Sequence, residues 1–159
     1  MTFFARVFSL AEDIPSRNAI CEVLVEEGYD FSTAPGRTDE DFNEAEWHDF
    51  QFSYAEGMPL IMVERNTKTV NGELFKEEID EFKETIDDAP YTKNTKKVKK
   101  IFEDVKQIYA FKLEEEMDEA GWDFIEEILD FICDATDGYV QIDGEGIFDK
   151  NGDIMLEFE

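Results

Sequence analysis

The chain has 159 residues, which suits a single domain, since domains typically hold about 100–200 residues. Its fifteen Phe, five Tyr and two Trp residues exclude an intrinsically disordered protein, because aromatic side chains at this density can form a core. The 41 acidic and 15 basic residues give a formal net charge of −26 at pH 7, and such a field repels nucleic acid and anionic membranes while it attracts basic partners.

Residues 3–64 predict a strand, a helix, a second strand and a hairpin. Phe3 to Ser9 is rich in aromatic and β-branched residues, which is typical of a strand. Pro15 suits the first turn of a helix, where its missing N–H costs nothing, and Gly28 suits the left-handed residue that ends it. The apolar stripe of this helix is Ala19, Ile20, Val23 and Leu24. The other predicted elements are strands at 29–34, 47–54 and 60–64, a polar loop at 35–46 and a turn at 55–57.

Residues 70–107 predict a connection made of two helices, at 72–87 and 95–106. The first has one buried face at helical spacing, formed by Phe75, Ile79, Phe82 and Ile86. Pro90 separates the helices, and Thr95 is the predicted N-cap of the second. The second helix carries a cluster of basic residues, Lys93, Lys96, Lys97, Lys99 and Lys100.

The last third of the chain predicts the same order of elements as the first. A strand at 108–113 is followed by an amphipathic helix at 120–135. A strand at 139–142 and a hairpin at 147–158 follow, with the turn at Lys150-Asn151-Gly152.

These elements predict an α+β fold in one domain, residues 1–159. We expect a mostly antiparallel sheet with helices on one side, because hairpins dominate the connections. The repeated strand–helix–strand–hairpin order further predicts a structural duplication, with pseudo-repeats at about 3–64 and 108–158 joined by the helices at about 70–107.

No catalytic, cofactor-binding or metal-binding motif is present in the sequence, so we predict a non-enzymatic protein without a cofactor. Asp149, Asn151 and Asp153 match the first positions of a calcium loop, but Ile154 stands where that loop needs glycine. Asn151-Gly152 instead predicts a hairpin turn. His48, the only histidine, has no nucleophile near it in sequence, and we expect an ordinary strand-edge side chain.

The two cysteines and the start of the chain predict a cytoplasmic protein. Cys21 and Cys133 lie in predicted helices among apolar neighbours, so we expect buried, reduced thiols and not a disulfide. The first residues lack the basic and long apolar segments of a signal peptide. No apolar run approaches the roughly 18 residues of a membrane span.

The charge predicts a basic protein partner. The densest acidic run follows a predicted strand, and we take it as the candidate partner-binding patch: Glu114, Glu115, Glu116, Asp118 and Glu119. We expect an acidic protein that binds and blocks a basic partner, such as an immunity protein, an antitoxin or a DNA-mimicking inhibitor, and that binds neither nucleic acid nor membranes. Two alternatives remain open: a small-ligand-binding domain or enzyme that uses a cleft of the duplicated sheet, and a housekeeping domain with a salt-adapted surface. A homo-oligomer also remains open.

Overall fold

A computed structural model describes residues 2–157, and in that range it contains eight strands and four α-helices. The strands are β1 (Thr2–Ser9), β2 (Ser32–Ala34), β3 (Asp49–Ser53), β4 (Ile61–Thr67), β5 (Gln107–Glu114), β6 (Gly138–Ile142), β7 (Gly146–Phe148) and β8 (Ile154–Glu157). The helices are α1 (Arg17–Glu26), α2 (Gly72–Asp88), α3 (Lys93–Glu103) and α4 (Glu119–Thr136), and a short 3-10 helix covers Glu40–Asn43.

All the described strands belong to one sheet in the order β2-β3-β4-β5-β1-β6-β7-β8. Every neighbouring pair is antiparallel, which confirms the predicted α+β class and antiparallel sheet. β1 and β5 pair along their full length at the centre, from Thr2 opposite Glu114 to Ser9 opposite Gln107. The strand predicted at 29–34 is shorter than expected: β2 covers only Ser32–Ala34, and Tyr29 and Phe31, which precede it, pack on the core.

Helices cover both faces of this sheet, which corrects the prediction of helices on one side. α1 and α4 pack in one core that includes Val7 of β1 and Phe111 of β5. α2 and α3 pack in a second core that includes Phe8 and Ile108, from the same two strands. Successive side chains of a strand point to opposite faces, so the two cores lie on opposite sides of the sheet. The central strands are apolar on both faces, and burying them requires a helical layer on each.

The helix starts follow local capping rules, with two corrections to the predicted positions. α1 begins after Ser16, whose hydroxyl accepts the N–H of Ala19 at 2.9 Å, so Pro15 precedes the cap and is not in the first turn. α3 begins after Thr92, whose hydroxyl accepts the N–H of Thr95 at 3.2 Å. The hydroxyl of Thr95 in turn accepts the N–H of Thr92, so Thr95 completes a capping box in place of being the N-cap.

The duplication stays a prediction. The two predicted units share one sheet, but the strand that follows the first helix of each unit has a different place in it. β2 is at an edge of the sheet, whereas β6 lies inside it beside β1. The helical connection predicted at 70–107 is present as α2 and α3.

Both cysteines are buried and free, as predicted. Burial raises the pKa of the Cys21 thiol to about 11 and that of the Cys133 thiol to about 12. Within residues 2–157, none of the helices combines the length and the apolar character needed to cross a membrane.

Candidate functional site

α4 divides its side chains into a buried apolar face and an acidic outer side. The residues that face the core are Phe124, Ile125, Ile128, Leu129, Ile132 and Cys133. The helix carries six carboxylates and no basic residue: Glu119, Asp123, Glu126, Glu127, Asp130 and Asp134. Because the apolar residues keep a helical spacing, the acids between them face away from the core.

A groove of about 330 Å³ lies between α4 and the strands β6 and β7. Four apolar residues line it, Leu129, Val140, Ile142 and Phe148. Four acidic residues also line it, Glu126 and Asp130 from α4 and Glu145 and Asp149 from the region around β7. We call this site the acidic groove. It combines an apolar lining with carboxylates and contains no basic residue.

The carboxylates of the groove lack cationic partners in the described part of the chain. No lysine or arginine of residues 2–157 forms an ion pair with Glu126, Asp130 or Glu145. Lys150, the basic residue next in sequence, pairs with Asp137 beyond the end of α4. The negative charge of the groove is therefore not neutralised locally.

The acids of α4 raise one another's pKa values. For Glu126, partial burial is the main cause of the raised pKa, and the charges of Asp123, Asp130 and Glu145 add to it. Partial burial also raises the pKa of Asp130, and the charge of Asp134 adds to it. A raised pKa in an acid means that its ionised form is destabilised, so a cation placed among these carboxylates would relieve their repulsion.

The basic cluster lies on the other side of the sheet. α3 carries five lysines and a single acid, Glu103, and it packs in the second core with α2. Lys99 forms an ion pair with Asp87 of α2 at 2.5 Å. The lysines of α3 therefore do not offset the acidic surface of α4.

The predicted acidic run lies at the N-terminal end of α4 and not in the groove. Glu114 ends β5, Glu115 and Glu116 are exposed in the following turn, and Glu119 is exposed in the first turn of α4. Asp118 is the N-cap of α4: its carboxylate accepts the N–H of Gly121 and the O–H of Tyr54, each at 3.0 Å. Asp118 thus has a structural role and Glu114 accepts the hydroxyl of Thr2, while Glu115, Glu116 and Glu119 are exposed.

Sequence reasoning missed the acidic groove. The four-residue spacing of Glu126 and Asp130, with Leu129 between them, is a local signal that could have indicated an acidic edge beside the apolar face. Glu145 and Asp149 had no such signal, because only the position of β6 and β7 next to α4 brings them to the groove.

The other residues weighed in the sequence have ordinary surroundings. His48 is 55% exposed, and its Nδ1 lies 3.4 Å from the Asp49 carboxylate. Residues 149–153 form the predicted hairpin turn, in which the Asp149 carboxylate accepts the N–H groups of Asn151 and Asp153. Across residues 2–157, no cluster of three or more His, Cys, Asp or Glu side chains is arranged to hold a metal ion.

Comparison of the chain with models of known protein families, with curated proteins and with solved structures finds no match.

Proposed function

We propose that this chain is a non-enzymatic interaction protein whose acidic groove receives basic side chains of a protein partner. The observation that carries the proposal is the groove itself, with its apolar lining and four carboxylates that have no basic residue among them.

The chemistry of the groove complements lysine and arginine. Both side chains have an aliphatic stem and a charged end, so they can lie along apolar surface while the charge meets an anion. Leu129 and Phe148 offer apolar surface to such a stem, and Glu126 and Asp130 offer acceptors to its charged end. A basic side chain in this position would also relieve the repulsion that raises the pKa values of these acids.

The distribution of charge supports an approach from the α4 side. The net charge is −26, and residues 107–159 hold seventeen acids and two bases. Because the lysine-rich α3 lies across the sheet, a basic partner that approaches α4 meets a predominantly negative surface. Glu119, in the first turn of α4, and Glu115 and Glu116, which precede the helix, extend this field to its N-terminal end.

A protein of this kind blocks its partner by covering the partner's basic surface. Where that surface binds nucleic acid, the carboxylates stand in for phosphates. The concrete forms of the proposal are therefore an immunity protein or antitoxin against a basic nuclease, and a DNA-mimicking inhibitor of a DNA-binding protein.

The test measures binding of a fluorescent oligo-arginine peptide to the wild-type protein and to Glu126→Gln/Asp130→Asn. The double variant should bind more weakly, by roughly 1.5- to 5-fold for each carboxylate removed, which is the range for exposed ion pairs. The matched control is Glu73→Gln/Glu77→Gln, which removes the same charge from exposed positions on α2. The control should change binding much less, because its carboxylates lie outside the groove.

The same peptide can separate the groove from the predicted acidic run. Replacing Glu114, Glu115 and Glu116 with Gln should slow association more than it speeds dissociation, because charges at the rim of an interface act mainly on the association rate. Added salt should slow association as well, since surface fields are screened within about 8 Å at physiological ionic strength. Equal weakening by the groove variant and by the α2 control would contradict the proposal.

A further inference from the structure

A cleft of about 530 Å³ lies at the end of the sheet where β4 ends and β5 begins. It gathers three basic residues, Arg65 from β4, Lys68 from the turn after it, and Lys106 just before β5. Two exposed acids, Glu12 and Glu46, are also in the lining. In a chain with 41 acids and 15 bases, this cleft holds more basic than acidic residues. We call it the basic cleft.

Arg65 is buried without an anionic partner. Its side chain lines the cleft, although the residue as a whole is only 3% exposed. Nε donates to the carbonyl of Trp47 at 2.6 Å and Nη1 to the side-chain oxygen of Gln107 at 3.2 Å, and both acceptors are neutral. Among residues 2–157, no carboxylate lies within ion-pair distance of its guanidinium. Buried charges in proteins are normally paired with an opposite charge, and this guanidinium has no such partner among the described residues.

Part of the Arg65 guanidinium remains available to a ligand. No side chain or carbonyl of residues 2–157 accepts a hydrogen bond from Nη2. The fully buried side-chain nitrogens without a partner in this range are Arg17 Nε and Asn66 Nδ2. Nη2 of Arg65 therefore keeps some accessible surface, and the cleft is the surface that Arg65 lines.

The electrostatics of Arg65 agree with this geometry. Burial lowers its pKa, and the nearby Tyr109 and Glu46 only partly oppose that effect. Arginine stays protonated in proteins at neutral pH even so, and the cost of its buried charge remains. A bound anion would offset this cost.

The surrounding chain holds the two lysines at the same cleft. The hydroxyl of Thr67 accepts the N–H of Val70 at 3.0 Å and fixes the turn that carries Lys68. The N–H of Lys106 donates to the carbonyl of Ser9 at 2.8 Å, which ties that residue to the end of β1. Neither lysine side chain forms an ion pair with the described residues, so both can reach a ligand.

We propose that the basic cleft binds a small anion through a carboxylate or phosphate group, with Arg65 as the buried donor and Lys68 and Lys106 at the exposed side. Guanidinium and ammonium groups are the donors that proteins use for both anions. The basic cleft shares no lining residue with the acidic groove. The anion site and the proposed partner binding can therefore be tested independently.

The test is an NMR titration with sodium phosphate and, separately, with sodium succinate, at ionic strength held constant with sodium chloride. We expect saturable shifts of the Arg65 Nε–H signal and of the backbone amides of residues 66–70 and 106–107. Lys68→Gln/Lys106→Gln should weaken binding about fivefold, as expected for the loss of two exposed ion pairs. Lys96→Gln/Lys97→Gln is the matched control, because it removes the same charge from two exposed lysines of α3 that lie outside the cleft.

Each outcome of the titration decides the proposal. Saturation by only one of the two anions supports the site and identifies its ligand class, whereas saturation by both indicates recognition of the shared oxyanion. The proposal is overturned if the shifts do not saturate or if chloride alone reproduces them. It is also overturned if the double variant shows the same binding as the wild-type protein. The lysine variants are used because Arg65 also holds the carbonyl of Trp47, so its replacement would disturb the fold.

Discussion

Asp130→Asn should make the protein more stable at neutral pH and low salt. Asp130 lies in α4 four residues after Glu126, three after Glu127 and four before Asp134. Like charges at these spacings destabilise a helix by about 0.2–0.5 kcal/mol per pair, so removing three repulsions should raise the free energy of unfolding by about 0.6–1.5 kcal/mol. In a domain of this size, such a gain corresponds to a rise in Tm of about 1–6 °C.

The gain should disappear in acid. The pKa of Asp130 is raised in the folded protein, by partial burial and by Asp134, so the folded state holds that proton more tightly than the unfolded state. Ionisation of Asp130 therefore destabilises the folded protein at every pH above its folded pKa. This destabilisation disappears as the pH falls through the raised pKa of the folded state and then the usual pKa of the unfolded state. The wild-type protein and the variant should converge at the acid end of a pH series.

The assay is thermal unfolding of the variants at low salt and in about 1 M NaCl, where the screening length falls to about 3 Å. Glu103→Gln is the matched control: it removes one negative charge as well, but Glu103 lies three and four residues after Lys100 and Lys99. Loss of attraction should lower its Tm slightly. If Asp130→Asn and Glu103→Gln raised the Tm equally, the change in net charge and not the loss of local repulsion would be the cause. A gain that persisted at high salt would also refute the reasoning.

Four further predictions concern the fold, the two thiols and calcium binding. In Gly146→Ala, the new Cβ would overlap a carbonyl oxygen of β8. The control is Gly152→Ala, at a glycine with a left-handed φ in open space, where the expected loss of stability is about 1–2 kcal/mol. Urea denaturation should show a much larger loss of stability for Gly146→Ala than for this control. Arg6→Met should lower the free energy of unfolding by about 3–5 kcal/mol, because it leaves the Glu78 carboxylate, 2.9 Å from Arg6 Nε, without its cation. The double variant Arg6→Met/Glu78→Gln should recover part of this loss of stability. Both cysteine thiols should react slowly with a maleimide until the protein is denatured, and fast labelling of the native protein would contradict their burial. Calorimetry should detect no calcium binding tighter than about millimolar, and micromolar binding that is lost in Asp149→Ala would show the prediction wrong.

Local patterns predicted individual elements well. The spacing of Phe75, Ile79, Phe82 and Ile86 predicted the buried face of α2, and all four residues are buried in the second core. Asn151-Gly152 predicted the last hairpin turn, which the structure confirms. These successes have a common reason: helix and strand periodicity, caps and tight turns depend on residues a few positions apart.

The candidate sites were harder to predict than the elements. The acidic run at the start of α4 was visible because its carboxylates are consecutive in sequence. Arg65 gave no signal, because an isolated arginine just after the strand predicted at 60–64 does not reveal that it is buried or that its acceptors are neutral. Its proximity to Lys106 follows from the pairing of β4 with β5, strands whose paired residues are at least forty positions apart in sequence.

The sequence by itself determined that this protein is an acidic α+β chain with helices and strands at definite positions, since each of these properties is local or a sum over residues. Only the tertiary structure decided that the helices cover both faces of the sheet and that the lysines of α3 lie across from the acids of α4. It also decided that Glu145 joins Glu126 and Asp130 in the lining of the acidic groove. The physical reason is that strand pairing joins distant segments, as where β1 lies between β5 and β6. The free energy of such pairing depends on how whole faces pack together, which no short stretch of sequence specifies.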